Sequence, residues 1–183
     1  MNDITVYDHD NRMSEERFAE FFALMEQAFP ANERHTAEGH LAEFDALEFH
    51  SICYAPDRLH GFINYWQLDG FVYVEHFAVQ PELRGQGIGA ALMAELRERV
   101  GNVPLVLEAE PPQDSAIAQR RIAFYERLGF RLNSYEYTQP AMAKGESPVP
   151  LVIMSFPEAL TEKEFIAIRD TMYRVVYSPA YFF

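Results

Sequence analysis

Val74-Glu75-His76-Phe77-Ala78-Val79-Gln80-Pro81-Glu82-Leu83-Arg84-Gly85-Gln86-Gly87-Ile88-Gly89-Ala90 reads as a strand that runs into a glycine-rich turn and out into a helix. Gly85, Gly87 and Gly89 carry no Cβ, so the backbone can approach a ligand closely and take positive φ where the turn demands it. The first N–H groups of the helix lack internal partners and lie at its positive dipole end. These features predict a phosphate cradle, with Arg84 adding a charge-assisted bond from the side.

Working outward, Gly87 to Val100 is helical, with Ile88, Ala91, Leu92, Leu96 and Val100 on one face. Val103–Glu108 follows as a short buried strand. Asp114–Leu128 is an amphipathic helix closed by Gly129. Upstream, Phe49–Tyr54, Leu59–Leu68 and Phe71–Val79 form a three-stranded meander, with Asp69-Gly70 as its hairpin turn. Met1–Tyr7 reads as a first strand. Phe18, Phe21, Phe22, Met25 and Phe29 place a helix over Glu15–Phe29, stopped by Pro30. A second, weaker helix is expected around His40–Leu47. Beyond Gly129, Phe130–Tyr137 and Pro150–Phe156 read as strands joined by the long loop Thr138–Val149. A Thr161/Glu164 capping box opens a last helix toward Tyr173. The aromatic ending, Tyr177–Phe183, needs cover from the domain or a second subunit, which makes a homodimer an expectation. The order indicates one domain over 1–183: an α/β (mixed α+β) fold, a central mixed sheet of about seven strands with helices on both faces and an extra C-terminal helix.

Composition narrows the function. With 49% hydrophobic and 23% charged residues, the 183-residue chain has a globular balance. Its net charge of −13 argues against nucleic acid, whose binding requires Lys and Arg to neutralise phosphates. It also means that an anionic cofactor needs a local cradle of backbone N–H groups. No apolar run approaches the roughly 20 residues of a membrane span, and the acidic start, Met1–Asp10, reads as neither signal nor transit peptide. Cys53 is the only cysteine, which fits a reducing, cytoplasmic compartment and a small buried side chain on a strand.

Two phosphate-binding readings compete. Gly85-Gln86-Gly87-Ile88-Gly89-Ala90 formally fits the dinucleotide fingerprint G-x-G-x-x-A, with Glu108 at a strand end as ribose partner. Against it, Gln80–Arg84 separate strand from glycines, antiparallel hairpins precede the turn, and no second mononucleotide half follows. The absence of Gly-Lys-Ser/Thr excludes a P-loop. In the other reading, Arg84-x-x-Gly87-x-Gly89, after a strand ending Phe77-Ala78-Val79 and after Pro81, resembles the R/Q-x-x-G-x-G/A signature of GNAT acetyltransferases. Ala123-Phe124-Tyr125-Glu126-Arg127-Leu128-Gly129-Phe130 resembles the same family's later block, a helix ending F-Y-x-x-x-G-F. Two motifs in order, one strand apart, are far more specific than either alone.

The resemblance implies acetyl transfer from acetyl-CoA, as co-substrate and without a metal, to an amine of a small molecule or peptide. The diphosphate of the cofactor would rest on Arg84, Gly85, Gln86, Gly87, Ile88, Gly89 and Ala90. Its pantetheine arm would lie between the strands Phe71–Val79 and Val103–Glu108. Phe77, Ala78 and Val79 would offer backbone groups there, one N–H stabilising the oxyanion. An alkyl ammonium near pKa 10.4 must lose a proton before attack. Glu75 is the leading base, with Glu108 and Glu110 as alternatives and His76 as a lesser one. Tyr125 matches the tyrosine that protonates the departing thiolate. Acceptor contacts fall on Glu33, Arg34, Glu108, Tyr135, Tyr137 and Gln139. Arg34 suggests a carboxylate on the acceptor and the acidic surface a cation. A non-catalytic acyl-CoA-binding module of the same fold is the other outcome the motifs allow.

Overall fold

The computed structural model describes residues 3–142 and 144–177. The expected strand start at Met1 and the tail beyond Tyr177 lie outside the described residues. In chain order the elements are β1 (Ile4–Tyr7), α1 (Glu15–Ala28), α2 (Ala37–Glu43), β2 (Phe49–Tyr54), β3 (Gly61–Leu68), β4 (Phe71–Val79), α3 (Ile88–Val100), β5 (Leu105–Ala109), α4 (Ala116–Arg127), β6 (Arg131–Leu132), β7 (Tyr137–Gln139), β8 (Val149–Phe156) and α5 (Glu162–Val175). The sheet runs β1-β2-β3-β4-β5-β8-β6, with β7 pairing β8. Among the described residues only β4 and β5 pair in parallel; the other pairings are antiparallel.

Strand alternation sends side chains to two layers of helices. Ile52, Ile63, Val72, Val74, Leu105 and Leu107 pack under Leu92 and Leu96 of α3 and Ile122 and Tyr125 of α4. On the opposite face Trp66, Phe71, Tyr73 and Val106 meet Phe165 and Met172 of α5, while Phe62 and Ala78 receive Phe21, Leu24 and Met25 of α1. Cys53 lies fully buried in that last cluster, and burial pushes its thiol up to about 12, so it is a packed side chain as expected.

Two expectations need correction. The second helix begins at Ala37, not His40, because the Thr36 hydroxyl accepts from Gly39 N–H and fixes the start one turn earlier. The strand expected over Phe130–Tyr137 is two short ones. Asn133 breaks it: its amide donates to the Ile153 carbonyl at 3.2 Å and Ser155 Oγ at 3.0 Å, and its carbonyl accepts from Leu160 N–H at 2.7 Å. With that split, the mixed sheet expected at about seven strands has eight among the described residues.

The feature that positions the site is a bulge in β4. Asn64 of β3 pairs with His76 and Tyr65 with Val74, so Glu75 is an extra residue without a β3 partner. On the other edge, β4–β5 pairing ends at Val74 opposite Leu107. From Glu75 onward the two parallel strands part, and the β5-facing backbone of β4 has no strand partner.

Candidate active site

At the β4–α3 junction, Gly85 and Gly87 hold φ of 80° and 84°, and Gly87 is the N-cap of α3 without any side-chain cap. The first backbone bond of α3 runs from Ala91 N–H to the Gly87 carbonyl, so the amides of Ile88, Gly89 and Ala90 have no partner within the helix. Arg84 to Gly87 are exposed. Arg84 Nε donates to the Val79 carbonyl at 3.2 Å, which ties the guanidinium across the end of β4 beside this turn. Gly89 is small for a different reason: a Cβ there would come within 3.2 Å of Phe77 Cζ and 3.3 Å of Phe124 Cζ. The turn is thus open to solvent at its glycines and packed down at its far side on the two aromatic rings.

Where β4 and β5 part, a small cavity of about 30 Å³ opens, and Glu33, Glu75, His76, Glu108, Glu110 and Gln139 are among its lining residues. Arg121 of α4 also lines it and is held by Glu110 at 2.8 Å. Glu108, at the end of β5, is gripped by three phenols: Tyr73 at 2.9 Å, Tyr177 at 2.8 Å to each oxygen, and Tyr137. Burial raises its carboxyl to about 7, with the neighbouring Glu75 charge adding to the rise and the phenols opposing it. Burial, and then Glu110, also raises Glu33. Burial would raise Glu75 as well, but His76, His35 and Glu43 outweigh it and hold Glu75 below its ordinary value. The Glu75 carboxylate accepts from Trp66 Nε1 at 3.1 Å. His76 is fixed by its Nε2–H, which donates to the Glu33 carbonyl at 2.9 Å.

Tyr125 lies on the other side of the sheet, in α4, buried against Phe77, Phe124 and Phe130. Burial pushes its phenol up to about 12, so it carries its proton throughout the neutral range.

The structure therefore gathers Glu33, Glu75, His76, Glu108, Glu110 and Gln139 at one cleft, with Tyr137 bound to Glu108. Two other sequence candidates sit elsewhere. Arg34 bonds Glu26 at 3.2 Å and lies over the Phe22 ring, facing α1. Tyr135 stacks on Phe165 and donates to the Leu160 carbonyl at 3.1 Å. The sequence reading missed Tyr73 and Tyr177, the further phenols on Glu108, and a buried set behind the cleft, His35, His40 and Glu43. The one signal for the latter is the cluster of two histidines and a glutamate around a seven-residue helix.

A strand–glycine turn–helix cradle beside a splayed parallel strand pair defines a class. The Acetyltransferase (GNAT) domain model matches residues 24–132, and this chain belongs to the GNAT acetyltransferase family. It is 33% identical to a candidate GNAT-family acetyltransferase of Bacteroides thetaiotaomicron, with a TM-score of 0.81 over 95% of this chain and 97% of that one. It is 25% identical over 162 residues to YjbC of Bacillus subtilis, a candidate acetyltransferase, covering 86% of this chain and 81% of that protein. The fold is shared with an aminoglycoside 6′-N-acetyltransferase solved with coenzyme A, at 15% identity and a TM-score of 0.62 over 83% of this chain and 94% of that one. Family and topology together dispose of the dinucleotide reading, since β4 and β5 are the only parallel pair among the described residues. No helix among the described residues is long and apolar enough to cross a membrane.

Proposed function

We propose that this chain, acting as one domain over 1–183, transfers the acetyl group of acetyl-CoA to a primary amine by direct attack. One observation carries the reading: β4–β5 pairing ends at Val74, beside the Glu75 bulge, and a cavity lined by Glu33, Glu75, Glu108 and Glu110 opens there. The residues fit the co-substrate. Free N–H groups at Ile88–Ala90, the positive-φ glycines and Arg84 suit a diphosphate, and the unpaired edge of β4 from Phe77 to Val79 suits an extended amide-bearing arm.

The residues divide the work. One N–H in the Phe77–Val79 stretch stabilises the charge that develops on the acyl oxygen. Glu108 takes the amine's proton, directly or through a water. Of the carboxylates weighed, it is the one whose pKa lies near a neutral operating pH, as efficient general bases require. Glu75 lies in the same wall and is held ionised by its neighbours. Tyr125 protonates the departing sulfur. Holding amine and thioester in contact supplies a large share, roughly 7–11 kcal/mol when alignment is good. The acceptor is a cation: Glu33, Glu75, Glu108 and Glu110 line the cleft, while Arg34, the argument for an anionic acceptor, is engaged with Glu26 on α1.

Thiol release from acetyl-CoA, measured over polyamines, amino sugars, amino acids and N-terminal peptides, tests this. We expect turnover with cationic amines and thermal stabilisation by acetyl-CoA but not NADH. Stabilisation without turnover on any amine would make the chain a binding module instead.

A further inference from the structure

Behind the cleft, five titratable side chains meet out of reach of water. His35, His40 and Glu43 are fully buried, His76 is 2% exposed and the Glu75 side chain 1%. The Glu43 and Glu75 carboxyls face each other within hydrogen-bonding range. Two carboxylates brought together in a dry interior cannot both stay charged unless a cation lies between them; otherwise one keeps a proton, because neither water nor distance screens their repulsion.

The outward atom of each group is fixed from behind. Trp66 Nε1 donates to Glu75 Oε2 at 3.1 Å, His40 Nδ1 to Glu43 Oε2 at 2.6 Å, and His35 Nδ1 to the Met142 carbonyl at 2.5 Å. The inward atoms differ. Glu43 Oε1 and Glu75 Oε1 receive no hydrogen bond among the described residues. His35 Nε2 lies 3.5 Å from Glu43 Oε1. Because Nδ1 carries the proton given to Met142, Nε2 turns a lone pair inward. One imidazole and two carboxylates thus converge on one point, an arrangement that a cation, or a proton on one carboxyl, relieves.

The dimensions suit one. The three ligand atoms lie within 4.8 Å of one another. A central ion would sit within about 2.8 Å of each, and a small inward shift brings this to the roughly 2.0–2.2 Å of zinc bonds to imidazole and carboxylate. A ligating histidine that gives its other N–H to a carbonyl, and ligating carboxylates held by donors behind them, form the outer layer that metal sites require.

We propose that His35 Nε2, Glu43 and Glu75 bind a divalent cation of the zinc class. Three protein ligands leave a fourth position, and the ion neutralises both carboxylates. Glu75 belongs both to this set and to the cleft wall, so the ion anchors the floor of the acceptor site. This goes beyond acetyl transfer and departs from the metal-free enzyme expected from sequence.

The full-length protein, purified without chelator, should carry about one zinc per chain by elemental analysis. After chelator treatment, added ZnCl2 should raise its melting temperature, and CoCl2 should give the visible absorption of a low-symmetry cobalt site. Glu43→Gln and His35→Gln should lose the metal and the zinc-dependent shift while circular dichroism and acetyl-CoA binding persist. Absence of stoichiometric metal, of any zinc-dependent shift and of cobalt absorption in the wild type would overturn the proposal and assign the pair a shared proton instead. The wild-type measurements stand even if a variant fails to fold. Their readout is metal content and not turnover, so the site and the acetyltransferase reading can fail separately.

Discussion

Glu75 and His76 are sequence neighbours that occupy the same face of the sheet, with Oε2 and Nδ1 3.6 Å apart. An ordinary strand would send them to opposite faces. The bulge at Glu75 removes that alternation. One consequence is that both side chains line the same cavity. The other is architectural: the bulge falls where β4–β5 pairing ends, at Val74 opposite Leu107. In the proposed reaction that single inserted residue would serve both the acceptor and the arm of the co-substrate.

Glu108→Gln should lower kcat/KM by about 10²–10⁴-fold, the usual worth of a general base. In the wild type the rate should rise with pH through about 7, where Glu108 ionises. The groups around it are the phenols of Tyr73, Tyr137 and Tyr177 and the carboxylate of Glu75. Thiol-release assays from pH 5.5 to about 9 should find that limb missing in the variant. An unchanged limb would return the base role to Glu75 or Glu110.

The same carboxyl predicts a stability effect of definite sign. Its folded-state pKa of about 7 lies above the ordinary 4.5, so between those values the folded state holds the proton and the unfolded state does not. Stability relative to Glu108→Gln should therefore fall as pH rises from 4.5 to 7 and level off above it. The total is on the order of 3 kcal/mol. Urea denaturation of both proteins across this range would show it as a difference that narrows or reverses.

Gly87→Asp should abolish acetyl-CoA binding. Gly87 holds φ of +84° at the N-cap of α3, so the side chain costs about 1–2 kcal/mol in backbone strain and places a negative charge where the diphosphate would sit. Calorimetric titration checks it, with circular dichroism to verify the fold. Normal binding by the variant would move the cradle elsewhere.

Tyr125→Phe should reduce kcat with little change in KM for acetyl-CoA, because the proton donor matters as the sulfur leaves. The ring contacts with Phe77, Phe124 and Phe130 survive the change, so the melting temperature should move little. A variant with wild-type kcat would make this residue a packing group alone.

Much of the molecule was legible in one dimension. Local signals set α1, the β2–β3–β4 meander and α3: apolar periodicity, Asp69-Gly70 and the glycine turn are all properties of neighbouring residues. The Arg84–Ala90 turn and the start of α3 were readable for the same reason, since the glycines and the helix start are local features. Where the reading slipped, a side chain acted across the fold or at a helix end. Asn133 interrupts its strand through bonds to Ile153, Ser155 and Leu160, and Thr36 moves the start of α2 by capping it.

The sequence by itself determined the element order, the glycine turn into α3 and the family, because each is written in residues a few positions apart. Only the tertiary structure decided which glutamate titrates near 7 and where Arg34 points. It alone brought His35 and Glu43 of the α2 region against Glu75 of β4. Those outcomes depend on burial and on contacts between residues dozens of positions apart, and a pKa or a ligand set exists only once such groups share one dry space.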